Sequence, residues 1–251
     1  MPSSSTSTTT PIPKGRDDAM TATLQTDQGR ATLRFERELH HSQDRVWRAV
    51  TDPQELRAWF PAEVIYEQRA GAPMQFDFGG EHGMDVWPGE VLEFDPPRAF
   101  AFLWGEDTLR FELAPAGAGT RLVFTHAFDH EPGKAARDAA GWEACFEAFD
   151  ALLAGTARGP GDADWSGHHE RYLERFGDLT VDGRPVRLRG PYREVDGRAA
   201  ASVVFDGRPG VLLVRDAGVS LADGAAVEVR DDGGDTIVTG ALRDPLAPTR
   251  A

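Results

Sequence analysis

The stretch VWRAVTDPQELRAWF, residues 46–60, carries the strongest local structural signals in the chain. Within it, Asp52 is followed by Pro53, and Glu55 comes three residues after Asp52. An aspartate suits the N-cap of a helix, a proline its first position, and a glutamate its third position, from which it can bond back to the cap in a capping box. The stretch therefore predicts two short helices that meet at Asp52, the first of them capped by Ser42.

Strand patterns lie on both sides of these helices. Apolar and polar residues alternate over Thr32–His40 and again in several later segments, which is the period expected of half-buried β-strands. Short turns between the later segments indicate an antiparallel meander. These segments are Met74–Phe78, Val86–Phe94, Ala99–Trp104, Leu109–Leu113 and Leu122–His126.

A long helix is predicted after the strands. Pro132-Gly133 opens a segment that runs to about Ala154 and carries apolar residues at spacings of three and four. A curved sheet with one apolar face must be covered by another layer. We therefore expect an α+β fold in which a curved antiparallel sheet is wrapped on the helix Pro132–Ala154.

Three motifs, in this order, resemble those of a known family. Residues 46–60 resemble V-W-x-A-[LV]-T-D-P-x-x-L-x-x-W-[FW], residues 89–98 (GEVLEFDPPR) resemble G-x-V-x-E-x-D-P-P-x, and residues 119–126 (GTRLVFTH) resemble G-T-R-L-x-[LF]-x-H. The patterns are similar to those of proteins related to the activator of the heat-shock-protein-90 ATPase, in the START and birch-pollen-allergen (SRPBCC) superfamily. The resemblance covers about residues 30–176 and implies a helix-grip fold. It leaves the activity open, because that superfamily contains ligand carriers, cyclases, hydrolases and chaperone regulators.

Composition divides the chain into three parts. Residues 1–29 begin with a polar run rich in serine and threonine, which predicts a disordered tail. Residues 30–177 are the predicted helix-grip domain, with an appended helix that ends at Gly177. Residues 178–251 contain five Asp-Gly pairs between short apolar runs, which predicts a small β-hairpin-rich module. Because this module has few aromatics, we expect a thin core that leans on the first domain, and a loosely ordered tail is the alternative.

Composition also restricts the compartment and the partners. The chain has 251 residues, a net charge of -14 and a single cysteine, Cys145. The negative charge argues against nucleic acid and anionic membrane as partners, and the sequence predicts no membrane span. A single cysteine excludes an internal disulfide and fits a cytoplasmic protein. Arginine far outnumbers lysine, which suggests a GC-rich genome such as that of an actinobacterium. No motif predicts a cofactor or a metal.

The aromatic residues are the strongest candidates for a functional site. Strand alternation and helix position predict that one group of side chains faces the space between sheet and helix: Phe76, Trp104, Phe111, Phe124, His126 and Trp142. These side chains would form the wall of a cavity for a small hydrophobic or aromatic ligand, as the helix-grip resemblance implies. A packed core would use the same aromatics, so this alternative stays open.

Three functions follow from these patterns. The first is binding of a small hydrophobic ligand between the sheet and the helix. The second is a chaperone-regulating or other protein-interaction module with a packed interior. The third is a cyclase- or hydrolase-like enzyme that uses His126, which needs a second titratable group within hydrogen-bond reach.

Several polar residues are interpreted as structural. Glu106-Asp107 are expected to be solvated turn residues, and Cys145 a packing residue. The pairs His40-His41 and His168-His169 are expected at the surface or at helix ends. Adjacent residues point in different directions, so neither pair is expected to chelate a metal.

Overall fold

The computed structural model describes residues 21–27, 29–79, 86–156, 158–189 and 193–247. These residues form a mixed α+β structure with two antiparallel sheets and few helices. The strands of the first sheet are β1 (Thr23–Asp27), β2 (Arg30–Leu39), β3 (Glu63–Tyr66), β4 (Pro73–Asp77), β5 (Val86–Asp95), β6 (Ala99–Trp104), β7 (Asp107–Ala116) and β8 (Gly119–Asp129). The helices are α1 (Gln43–Thr51), α2 (Pro53–Leu56), α3 (Lys134–Leu153) and α4 (Trp165–Phe176).

The predicted junction of two short helices is confirmed at Asp52. Its side chain accepts a hydrogen bond from the Gln54 amide at 2.8 Å, while its own amide donates to the Arg48 carbonyl at 2.8 Å and ends α1. The predicted capping box is wrong. The Asp52 amide is already used by α1, and the Glu55 carboxylate instead pairs with Arg45 at 2.5 Å and Arg48 at 2.7 Å.

The first sheet has eight strands in the order β1-β2-β8-β7-β6-β5-β4-β3. Helix α3 packs on its inner face through three buried aromatic residues. The ring of Trp142 lies 4.7 Å from that of Phe124, and Phe146 lies 5.4 Å from Phe35. Phe149 lies 5.1 Å from Trp59, which follows α2. The long helix therefore covers the sheet, but it does not end the chain, since the C-terminal part is β-rich.

The predicted disorder of residues 1–29 is wrong for residues 23–27. Strand β1 pairs antiparallel with β2, with Leu24 opposite Leu33. The Ala22 amide donates to the buried Tyr172 hydroxyl at 2.9 Å, which joins the start of the sheet to α4. A polar strand can pair at a sheet edge because its backbone provides the hydrogen bonds. Residues 1–20 lie outside the described residues.

The C-terminal strands form a second sheet that closes on itself. Its strands are β9 (Leu179–Val181), β10 (Arg184–Leu188), β11 (Arg193–Val195), β12 (Arg198–Phe205), β13 (Arg208–Val214), β14 (Ala226–Asp231) and β15 (Thr236–Arg243). Strand β10 pairs with both β9 and β12, so that β9, β10, β12, β13, β14 and β15 form a ring. The alternative of a loosely ordered tail is therefore wrong for the described residues.

Barrel closure explains how a segment with few aromatics has its own core. Closing the ring removes the free edges and encloses a small interior that short side chains can fill. Val181, Val203, Phe205 and Leu242 are among the buried residues of this separate cluster. The Asp-Gly turns are confirmed at 182–183, 196–197 and 206–207, where both residues of each pair have positive φ as a tight hairpin turn requires. The domain boundary at residues 177 and 178 stays a prediction.

No helix in the described part of the chain is long and apolar enough to cross a membrane.

Candidate functional site

The predicted aromatic wall is a cluster of rings in mutual contact. The centroid of Phe111 lies 4.7 Å from that of Phe124, which lies 4.7 Å from Trp142. Phe76 lies 4.7 Å from Trp104 at the other end of the cluster. All of these side chains are buried except Trp104, which is half-buried. The sequence therefore placed these residues on one face, and the rings of Trp59 and Phe60 pack among them.

His126 is buried at the end of this cluster and has a partner on each ring nitrogen. Its Nε2 lies 2.9 Å from Oδ2 of Asp107, and its Nδ1 lies 3.0 Å from the indole Nε1 of Trp142. The Asp107 carboxylate also pairs with the Lys134 ammonium at 2.8 Å. Asp107, His126, Trp142 and Lys134 thus form one network, called here the Asp107 network.

The interpretation of Asp107 as a solvated turn residue is wrong. Asp107 is 8% exposed, whereas its neighbour Glu106 is exposed as expected. Strand β7 begins at Asp107, and Leu109 and Phe111 share its inward face. Leu109 lies directly opposite His126, which makes Asp107 a diagonal neighbour of the imidazole. Extending the alternation of Leu109 and Phe111 back by two residues is the sequence signal that identifies Asp107.

The hydrogen bonds also select one tautomer of His126. An indole N–H can only donate, so Nδ1 accepts from Trp142 and the ring hydrogen lies on Nε2, which donates to Asp107. Neither nitrogen then has a free lone pair with which to take a proton from a substrate. Asp107 is a second titratable group within hydrogen-bond reach of His126, as an enzyme would need. Its carboxylate, however, already accepts hydrogen bonds from His126 and Lys134 within the Asp107 network.

Burial opposes ionisation of Asp107, but the hydrogen bonds from His126 and Lys134 outweigh it. They hold the pKa of this carboxyl below its ordinary value. The ligand atoms of Asp107, His126 and Asp138 lie within 4.8 Å of one another, a spacing that a metal ion could bridge. A metal there would have to displace the Lys134 ammonium and the indole N–H, so we assign no metal to this cluster.

A cleft of about 620 Å³ runs along α3 beside Trp142. Its wall is mainly apolar, with the charged residues Arg137 and Asp138 on it as well. A Cβ added at Gly141 would meet no heavy atom within 4 Å among the described residues beyond its own helix and chain neighbours, so this glycine leaves part of the cleft open. The remaining lining residues are Pro61, Trp142, Ala144, Cys145, Pro160, Gly161 and Trp165.

The interpretation of Cys145 as a packing residue agrees with its surroundings. The residue is 4% exposed, and burial raises the pKa of its thiol to about 12. The thiolate is therefore strongly disfavoured, and the thiol is a poor nucleophile.

The interpretation of His168-His169 as surface or helix-end residues is wrong. The two residues are 5% and 0% exposed and lie within α4. His168 contacts Glu147 at 2.9 Å, whereas His169 stacks on Trp165 at 4.6 Å and both of its ring nitrogens lack a hydrogen-bond partner among the described residues. Burial, and then the charge of Arg189, lower the pKa of His169 to about 4.

This histidine predicts a pH-dependent stability. In the unfolded chain its pKa is about 6.5, above the folded value of about 4, so the unfolded state binds the proton first as the pH falls. The contribution of neutral His169 is fully present above about pH 6.5 and is lost progressively down to about pH 4. We expect His169→Phe to keep the stacking on Trp165 and to remove about 2–3 kcal/mol of the stability loss over this range. Denaturant unfolding at several pH values measures this, and an unchanged pH profile would contradict it.

Comparisons with known proteins agree with this fold. Residues 40–154 match the model of the family described as Activator of Hsp90 ATPase homolog 1-like protein. A conserved protein of unknown function from Enterococcus faecalis is 19% identical with a TM-score of 0.53, over 61% of this chain and 89% of that protein. The solution structure of CalU16 from Micromonospora echinospora is 21% identical with a TM-score of 0.52, over 64% of this chain and 95% of that protein. The curated proteins include no match.

At these identities the solved structures support the fold alone. The family match covers the helices α1 to α3 and the strands between them, which hold the Asp107 network and the aromatic cluster. It confirms the resemblance drawn from the three motifs. Over residues 40–154, this chain is similar to the Activator of Hsp90 ATPase homolog 1-like family.

Proposed function

We propose that this protein binds a small hydrophobic or aromatic molecule through its helix-grip domain, with the ligand seated in the cleft along α3. The family supports a ligand-binding or regulatory domain, and the cleft favours the first. Its volume of about 620 Å³ lies within the range of small-molecule sites. The single observation that carries the proposal is this mainly apolar cleft with Trp142 among its lining residues.

The predicted site residues have different roles in this proposal. Trp142 is assigned as the contact residue, since it lines the cleft and its ring belongs to the aromatic cluster. Phe76, Trp104, Phe111 and Phe124 form the support behind it, and their close packing holds the indole in place. His126 fixes the indole through its Nδ1 acceptor and orients the ring instead of contacting the ligand.

Gly141 offers a direct test with a matched pair of variants. Gly141→Leu should place a larger side chain in the cleft, where an added Cβ meets no heavy atom of the described residues, and should weaken ligand binding at least about tenfold, because this side chain takes the ligand's place. Gly141→Ala should leave most of the cleft open and keep binding close to that of the wild type. Both variants should be at least as stable as the wild type, since replacing glycine inside a helix gains about 1 kcal/mol.

The probe is anilinonaphthalene sulfonate, a dye with apolar aromatic rings and one sulfonate group, whose fluorescence rises when the rings enter a dry site. A saturable signal in the wild type and in Gly141→Ala, with loss in Gly141→Leu, is the expected result. Equal binding by Gly141→Leu would reject the cleft as the site. The absence of saturable binding in the wild type would reject the ligand-binding function, and the protein-interaction alternative would replace it. If the wild type shows saturable binding, native mass spectrometry of protein purified from its natural host would identify the retained molecule.

A further inference from the structure

The cleft along α3 has a second wall that comes from α4. Trp165, the first residue of α4, lines the cleft together with Trp142 of α3, and Pro61 and Pro160 are among the other lining residues. Grooves lined by aromatic side chains bind proline-rich segments in several peptide-recognition domains. The lining therefore suits a short apolar peptide as well as a small molecule.

The N-terminal part of the chain is attached to the helix that forms this second wall. The Ala22 amide donates to the Tyr172 hydroxyl of α4 at 2.9 Å, and both residues are buried. Tyr172 and Trp165 are seven residues apart in α4, close to two full turns, so they lie on one face of the helix. Their separation along the helix axis is about 10 Å. The chain that precedes Ala22 therefore starts two helical turns from the cleft.

One segment before Ala22 has the chemistry that this groove requires. Residues 11–16 read PIPKGR, in which an isoleucine between two prolines is followed by two basic residues and no acidic one. Proline fixes φ, so a segment of this kind loses less conformational entropy on binding than an ordinary one. The charges of Lys14 and Arg16 favour its approach to a chain with a net charge of -14. Residues 3–10, in contrast, are all serine or threonine.

The connection between this segment and Ala22 is long enough to reach the cleft. Residues 14–21 join Pro13 to Ala22, and an extended chain of this length spans up to about 30 Å. The distance needed along α4 is only about 10 Å. A short tether keeps a segment at an effective concentration on the order of millimolar, so a weak intrinsic affinity is enough to fill the cleft.

We propose that Pro11-Ile12-Pro13 docks in the cleft of its own chain, with Ile12 against the tryptophan side chains of the lining. The docked segment covers the apolar wall and takes the space that a small molecule would use. The docking itself needs no ligand, whereas its role as a competitor rests on the ligand-binding function proposed above. The N-terminal segment then inhibits the site until a ligand displaces it.

Paramagnetic broadening in NMR spectra of the full chain tests the docking without any ligand. The spin label is attached to Thr10→Cys, next to the docking segment. Cys145 should stay unlabelled, because it is buried and burial raises the pKa of its thiol. If the segment docks, the label comes close to the cleft, and we expect it to broaden the amide signals of Gly141 and Trp165.

Two further substitutions in the spin-labelled chain separate docking from chance proximity. Ile12→Asp should remove the broadening, because a carboxylate is costly to bury against apolar side chains. The matched control Ser5→Asp adds the same charge to the same part of the chain, outside the docking segment, and should keep the broadening.

Titration with anilinonaphthalene sulfonate tests the competition. Without the spin label, Ile12→Asp should bind the dye at least about threefold more tightly than the wild type, because the tethered competitor no longer occupies the cleft. Ser5→Asp should bind it as the wild type does, which controls for the added charge.

Three outcomes would overturn the docking. These are no broadening at Gly141 and Trp165, broadening that survives Ile12→Asp, and broadening that arises only between a spin-labelled chain and a separate isotope-labelled chain. The last would make a second copy the occupant. Equal dye affinity of Ile12→Asp and the wild type would overturn the competition. Broadening with no dye binding in any variant would support the docking and reject the proposed ligand-binding function, so the two failures are distinguishable.

Discussion

Replacing Trp142 with alanine is expected to lower the free energy of unfolding by about 3–5 kcal/mol. The ring is 6% exposed and packs against Phe60, Phe124 and the imidazole of His126, so its removal leaves a cavity between α3 and the sheet. It also takes away the donor to Nδ1 of His126, which leaves a buried acceptor without a partner.

The variant Trp142→Phe separates these two contributions. It keeps an aromatic ring against the sheet but lacks the indole N–H, so we expect a smaller loss of about 1–2 kcal/mol. Chemical denaturation of both variants gives the comparison. A loss below about 1 kcal/mol for Trp142→Ala would show that α3 does not depend on this contact.

Asp107→Ala is the second substitution with a large expected effect. It would leave the Lys134 ammonium and Nε2 of His126 without their shared carboxylate, and we expect a loss of about 2–4 kcal/mol at neutral pH. The lower end of this range, about 2 kcal/mol, applies if Lys134 is hydrated after losing its partner, since its side chain is 17% exposed and can reach water. Glu106→Ala is the matched control, because the adjacent exposed carboxylate should contribute less than about 0.5 kcal/mol.

The same carboxylate predicts a pH dependence in acid. The pKa of Asp107 is lower in the folded chain than its ordinary value of about 3.9, so its contribution is fully present well above that pH and is lost as the pH falls through the folded value. Unfolding curves between about pH 5 and pH 2 should therefore converge for the wild type and Asp107→Ala. Curves that stay parallel over this range would contradict the assignment of the ion pair.

The resemblance to the family and the order of the elements could be predicted because they depend on local patterns. Asp52-Pro53 predicted the helix junction, and the Asp-Gly pairs predicted three hairpin turns. The alternation of apolar and polar residues around Phe111 and around Phe124 predicted the inward faces of β7 and β8. In each case the signal comes from residues only a few positions apart.

The roles of the polar residues could not be predicted in the same way, because their partners are distant in the chain. The sequence pattern around Asp107 predicts a turn residue. In the folded chain, β8 places His126 and α3 places Lys134 beside its carboxylate, and Trp142 of α3 bonds to His126. The Glu55 capping box failed because two arginines of α1 offered a charged alternative. The sequence predicts His169 at the surface or at a helix end, but the packing of α4 buries it.

The sequence by itself determined the resemblance to the family over residues 40–154, the inward-facing aromatics and three hairpin turns of the C-terminal part. Only the tertiary structure decided that β10 closes a barrel with β12 and that both ring nitrogens of His126 have hydrogen-bond partners, Asp107 and Trp142. It also decided that residues of α3 line two separate cavities. The physical reason is the separation along the chain of the residues that interact. Hydrophobic periodicity depends on neighbouring residues, whereas ion pairs, barrel closure and cavities arise where segments far apart in the chain meet.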